Sequence, residues 1–260
     1  MPEPRALCYT GRVLSEAFRD APSDAASIEA VLFDLGGVLV HLDYEAIARE
    51  AAQLGVTLDA ARLPRAEGHA RRAIDRRAGL LGEVPGTDAT RVPSYFDDLL
   101  EGAGLAAEAR AALVARLQAH HRARNLWRVP FDDARATLER LRGAGLRLGV
   151  VSNADGRAAA VLAEAGLAHA FDAVLDSHVE GVEKPDAEIF RRALARVGAP
   201  AARAVFVGDI LSIDVAGARG AGMRPILVDV ASAYGDADVE RIGRLHELVA
   251  RLGVASGRAS

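Results

Sequence analysis

The chain has a single cysteine, Cys8. One thiol cannot close an internal disulfide, and its place in a polar segment suits a reducing compartment. Basic residues are not in excess either: 32 Lys and Arg stand against 36 Asp and Glu, a formal net charge of -4. That balance argues against nucleic acid or an anionic membrane as partner and points to a small-molecule substrate. Long apolar runs are also missing. Residues 1–27 carry Glu3, Arg5, Arg12 and Glu16 where a secretory signal would need an unbroken apolar stretch, and no later segment reaches membrane-spanning length. The expectation is a cytoplasmic protein, monomer or homodimer, with a flexible N-terminal extension over 1–27 and a flexible tail over 254–260. No internal repeat stands out, and the seven histidines show no zinc-type spacing, since neighbours such as His120 and His121 face different sides of a helix.

Half of the 260 residues are hydrophobic, enough for one sizeable domain or a core that carries a smaller one. Short apolar runs alternate with stretches of helical period, the pattern of a parallel sheet wrapped by helices. Residues 30–33, 146–151, 173–175, 204–207 and 226–228 have the length and β-branched content of buried strands. Helices are expected at 133–142, 157–165, 187–197 and 213–221, with a last one over about 236–252. This predicts an α/β fold, a Rossmann-like three-layer core over 28–42 and 130–253. The stretch 42–129 reads as helix throughout, so an all-helical domain is expected over 43–129. Its helices fall at 44–54, 63–80, 94–102 and 107–124, with Pro85, Gly86, Pro93 and Gly104 as breakers. The series Arg71, Arg72, Arg76, Arg77 reads as a charged face in water rather than the lining of an anionic site.

In an open parallel sheet, ligands collect beyond the C-terminal strand ends. The polar residues there are Asp34, Ser152 with Asn153, Lys184, and Asp209 with Asp214. Singly, each reads as a cap, a turn residue or surface charge. Together, three carboxylates at one sheet edge repel by about 4 kcal/mol per pair at about 4 Å and an effective dielectric of about 20. A hard divalent cation such as magnesium answers that repulsion, and Lys184 and Ser152 complete a pocket for phosphoryl oxygens.

The ordered segments FDLGGVL, VVSN, EKPD and VGDILSIDVAGARGAGM resemble the four motifs of the haloacid dehalogenase-like superfamily, over roughly 28–230. The helical insert after the first motif resembles the cap of many members. The resemblance implies a Mg2+-dependent phosphatase of small phosphate monoesters, with Asp34 as the nucleophile that forms an aspartyl-phosphate. It places the metal on Asp34, the Gly36 carbonyl and Asp209, with Asp214 nearby. It places the phosphate on Ser152, Asn153 and Lys184, beside the turn at Gly36 and Gly37. One departure stands out. Where phosphatases of this kind usually carry a general acid, two residues after the nucleophile, this chain has Gly36; His41, at the end of the motif, is the nearest substitute donor. Two other readings follow: a 2-haloacid dehalogenase, whose nucleophile attacks carbon without metal, and a non-catalytic binding module on the same fold.

Overall fold

The computed structural model describes residues 27–81 and 88–254. The expected N-terminal extension, except Ser27, and the tail beyond Val254 lie outside the described residues, as do Cys8, Pro85 and Gly86. In chain order the elements are β1 (Ala30–Phe33), β2 (Val40–Leu42), α1 (Tyr44–Ala52), α2 (Leu63–Leu81), α3 (Asp88–Gly102), α4 (Ala107–Ala123), β3 (Trp127–Pro130), α5 (Ala134–Gly143) and β4 (Arg147–Ser152). There follow α6 (Ala158–Glu164), β5 (Ala173–Asp176), α7 (Ser177–Glu180), α8 (Ala187–Val197), β6 (Ala204–Gly208), a π-helical turn at Leu211–Val215, α9 (Ala216–Gly220), β7 (Arg224–Val228), β8 (Glu240–Ile242) and α10 (Glu247–Arg251).

Six strands form one sheet in the order β5-β4-β1-β6-β7-β8, every pair parallel. β1 sits inside it and is buried on both faces, so its run is apolar throughout. The period of two divides its residues. Val31 and Phe33 pack under α5, α6 and α10, whereas Ala30 and Leu32 pack under α8 and α9. Each fully buried Val, Leu or Phe here contributes about 1.5–3 kcal/mol. α8 shows why such a layer forms: Ile189, Phe190, Ala193, Leu194 and Val197 make one buried stripe. Asp186 caps its start by accepting from the Glu188 N–H at 2.8 Å, and Gly198, at φ +69°, ends it in the left-handed region.

The helices α1–α4 have a core of their own, built on Ile47, Leu63, Ala70, Phe96, Leu99, Leu113 and Leu117 and touched from the sheet side by Ile213. Two expectations fail. The stretch 42–129 is not helical to its end, because Trp127–Pro130 pairs antiparallel with β2 as a two-stranded ribbon. Four residues closed by a proline are too short a signal to stand out against a helical background. The last helix is likewise replaced by the edge strand β8, whose only buried residue is Ile242, and by the short α10. Charged residues at a sheet edge read as a solvated helix face when only pattern is available. Pro93 lies within α3 rather than ending it, while Gly104 does break the chain, at φ +89°.

Candidate active site

The turn after β1 begins with Asp34, whose N–H donates to the Val207 carbonyl at 2.8 Å and whose Oδ1 accepts from the Leu35 N–H at 2.7 Å. The chain then folds back through Gly37, at φ +77°. A Cβ there would lie 2.0 Å from Asp209 Oδ2, so glycine is required by both conformation and space. Gly36 differs: its φ is ordinary, but a Cβ would come within 3.0 Å of the Trp127 ring.

Lys184, 1% exposed, bridges Asp34 and the last motif, with Nζ 2.8 Å from Asp34 Oδ1 and 2.8 Å from Asp214 Oδ1. Burial alone would lower the Lys184 pKa, but Asp214 and Asp34 outweigh it and hold it above the ordinary lysine range. Burial pushes the Asp34 carboxyl up to about 6, against the pull of Lys184. Asp214 is fully engaged: its other oxygen accepts the Asp209 and Ile210 N–H groups, each at 3.0 Å. It therefore ties Lys184 to the loop after β6. Asn153 does the same from β4. Its Oδ1 accepts the Lys184 N–H at 2.8 Å and its Nδ2 donates to the Lys184 carbonyl at 2.9 Å. Both ends of the side-chain amide are used on the Lys184 backbone, so Asn153, which also lines the cavity, positions Lys184. Ser152, at the end of β4, faces the same cavity, and its hydroxyl has no hydrogen-bond partner among the described residues.

The Arg series on α2 is not a uniform solvated face. Arg71 is buried, with Nε 2.6 Å from Asp209 Oδ2 and Nη2 donating to Glu67 at 2.6 Å. Glu67 in turn accepts from Tyr44 at 2.6 Å and Tyr95 at 3.0 Å, so the guanidinium is held by a closed polar cluster. Sequence reading missed Arg71, Glu67, Tyr44 and Tyr95. The signal was there: Glu67 and Arg71 fall in the same i, i+3, i+4 stripe as Leu63, Ala66, Ala70 and Ile74. Arg72 and Arg77 instead pair with Asp236 at 3.1 Å and Asp98 at 2.6 Å.

His41 stands apart from this site. Its Nδ1 lies 2.7 Å from the Leu42 carbonyl, its ring stacks on Tyr44 at 4.9 Å and packs on Phe131, and it does not line the cavity. The structure thus does not bring His41 to the cavity with the other candidate residues.

The cavity above the strand ends measures about 400 Å³. Asp34, Gly36, Ser152, Lys184, Asp209 and Asp214 form its floor, and Ile74, Val92, Tyr95, Gln118, His121 and Trp127 are among its walls. One carboxylate oxygen each of Asp34, Asp209 and Asp214 lie within 4.8 Å of one another. Asp209 Oδ1 is buried with no hydrogen-bond partner, and burial raises the Asp209 pKa well above the carboxylate range despite Arg71. An orphaned carboxyl oxygen in an all-oxygen cluster, which favours the uncharged form until a cation arrives, fits a hard ion such as magnesium.

A family model described as haloacid dehalogenase-like hydrolase matches residues 28–222. The chain is 32% identical over 220 residues to a glyceraldehyde 3-phosphate phosphatase of Methanothermobacter thermautotrophicus, covering 83% of this chain and 92% of that one. Among solved structures, a 2-haloacid dehalogenase from Pseudomonas syringae pv. Tomato is 26% identical, with a TM-score of 0.54 over 87% of this chain and 98% of that one. A HAD phosphatase from Thermococcus onnurineus is 25% identical, with a TM-score of 0.53 over 87% and 99%. With three quarters of its length matched by the family model and its ordered motifs gathered on one sheet edge, the chain belongs to the haloacid dehalogenase-like hydrolases.

Proposed function

We propose that this hydrolase cleaves small phosphate monoesters through an aspartyl-phosphate on Asp34. The observation that carries this reading is Lys184, buried between Asp34 and Asp214 at 2.8 Å from each. A cation fixed there keeps the nucleophile ionised and faces the charge that builds on phosphoryl oxygens. Asp34 attacks phosphorus, the bond to the ester oxygen breaks, and the alcohol leaves. Ser152, with its uncommitted hydroxyl, and Lys184 hold the transferred group. Water then attacks phosphorus, which frees phosphate and restores Asp34. Asp34, the Gly36 carbonyl and Asp209 would hold magnesium, with Asp214 acting behind them on the loop. Bound there, the ion supplies neutralising charge to the phosphoryl oxygens.

Residues 43–129 act in this reading as a cap over a core of 28–42 and 130–253, with Trp127–Val129 forming the ribbon that joins them. The separate core of α1–α4 supports that division, as do the polar contacts across it: Arg71 with Asp209, Arg91 with Glu183 at 3.1 Å, and Asp75 with the Ser212 N–H at 2.8 Å. The phosphatase named among the relatives agrees with the reading. Gly36, together with the cation already beside Asp209, favours metal-free dehalogenation as the second reading. A screen of phosphate esters with and without Mg2+, run beside 2-chloropropionate, separates them. Phosphate release abolished by chelator is expected; halide release that survives chelator would overturn the proposal.

A further inference from the structure

The glycine at 36 is not demanded by its backbone, whose φ lies outside the left-handed region. It is demanded by Trp127: a Cβ would meet the indole Cδ1 at 3.0 Å and Cγ and Nε1 at 3.4 Å, already tight before any longer side chain is added. The ring cannot step aside cheaply. It stacks on Phe96 at 5.7 Å and 18°, meets Tyr95 edge-on at 5.2 Å and His121 at 5.5 Å, and its strand is paired with β2. Its Nε1–H has no hydrogen-bond partner among the described residues, and the residue lines the cavity beside Asp34.

Of the other ionisable groups on the cavity wall, Arg122 is a guanidinium that does not give up a proton, and the rest are committed elsewhere. The Tyr95 hydroxyl donates to Glu67. Asp155 is paired with Arg157 at 2.5 Å, and Arg91 with Glu183. His121 Nδ1 accepts the Leu126 N–H at 3.2 Å, and burial keeps its pKa down at about 4, so it is neutral. The leaving-group side of the site thus presents a flat aromatic wall and no positioned acid among the described residues.

We propose, on the basis of the phosphatase reading, that Trp127 determines specificity here. Its indole fills the room a side chain at 36 would need and selects phosphate esters of planar, acidic hydroxyls, aryl and enol phosphates, over alkyl phosphates. As Asp34 bonds to phosphorus, the P–O ester bond breaks with its electron pair on the leaving oxygen, which takes its proton from solvent afterwards. A phenol titrates near about 10, so phenolate leaves unaided. An alkoxide is about as basic as hydroxide, far more so than phenolate, and needs the acid this site lacks.

The test compares phenyl phosphate with n-propyl phosphate, at saturating Mg2+, in the parent, Trp127→Phe, Trp127→Leu and the double variant Gly36→Asp/Trp127→Ala. In the parent, kcat/KM should favour the phenyl ester by about 10²-fold or more, the scale of missing acid catalysis. Trp127→Leu should raise KM for phenyl phosphate roughly 2- to 12-fold, the range of one aromatic contact, and leave the propyl ester within about twofold; Trp127→Phe should restore it. The double variant should gain on the propyl ester. Equal kcat/KM on both esters in the parent, or equal losses on both in Trp127→Leu, would overturn the proposal. If neither ester turns over, titration calorimetry still decides. Tighter binding of phenyl phosphate than of inorganic phosphate, lost in Trp127→Leu, would keep the recognition and sink only the phosphatase reading. Indistinguishable binding would sink both.

Discussion

Replacing Lys184 with methionine removes the one ammonium that joins Asp34 to Asp214 while keeping an unbranched side chain of similar length. In the parent its Nζ lies 2.8 Å from each carboxylate and the residue is 1% exposed, so water cannot replace what is lost. Breaking a buried pair by removing one partner costs about 3–5 kcal/mol, because the other charge stays buried and uncompensated. For a chain of this size each kcal/mol moves Tm by about 2–4 °C, so a fall of about 6–20 °C is expected in scanning calorimetry. The sign of the pH dependence can be worked out as well. Asp34 has a folded pKa of about 6 against an ordinary 3.8, so protonated Asp34 favours the fold below about 4, and that contribution is lost as pH rises through 6. Without Lys184 the carboxyl is raised further. The deficit of the variant should therefore be greatest above pH 6 and narrow as the acids take up protons. A Tm unchanged within 2 °C of the parent at pH 7.5, or a gap that widens on acidification, would refute the reasoning.

Asp34→Asn should fold like the parent and lose all phosphate release, since an amide is nearly isosteric but not nucleophilic; turnover in a well-folded preparation would remove the covalent step. Asp209→Asn should weaken Mg2+ binding at least about tenfold by calorimetry on the protein without substrate, as it removes the only carboxylate among the described residues with an unpartnered buried oxygen. Asn153→Ala leaves the Lys184 N–H and carbonyl without their partners, a cost of about 1–3 kcal/mol, and should lower kcat more than it raises KM. Arg71→Ala should destabilise the protein by about 3–5 kcal/mol, because Glu67 keeps its buried charge, and Glu67→Gln in the same chain should recover part of that loss.

The sheet was legible because β1, β4 and β6 are buried almost throughout, and β5 and β7 over their C-terminal ends, so they read as short apolar runs. The edge strand β8 and the ribbon strand β3 lack that signature and vanish into neighbouring helical patterns. For the site, Asp34, Lys184, Ser152, Asp209 and Asp214 were legible because strand order brings their positions to one edge. The structural task of Asn153 was not legible, since nothing local says that a side-chain amide will be spent on a backbone 31 residues away. His41 is near Asp34 in sequence, yet it is not among the residues that line the cavity. Arg71 and Trp127 come from the inserted helices and the ribbon beside them, where placement depends on how one layer settles on another. Pattern along the chain carries little of that information.

Trp127 is the only tryptophan in the sequence, and it stands on the wall of the cavity that holds Asp34. The protein consequently carries an optical reporter in its working site without any label. Emission excited near 295 nm arises from one indole, whose surroundings comprise Phe96, Tyr95 and His121 on the inserted side and Gly36 on the sheet side. Filling the cavity, or parting the layers that meet at that ring, changes the polarity and quenching around a single chromophore. Stopped-flow fluorescence can therefore time ligand arrival and layer movement separately from the release of product.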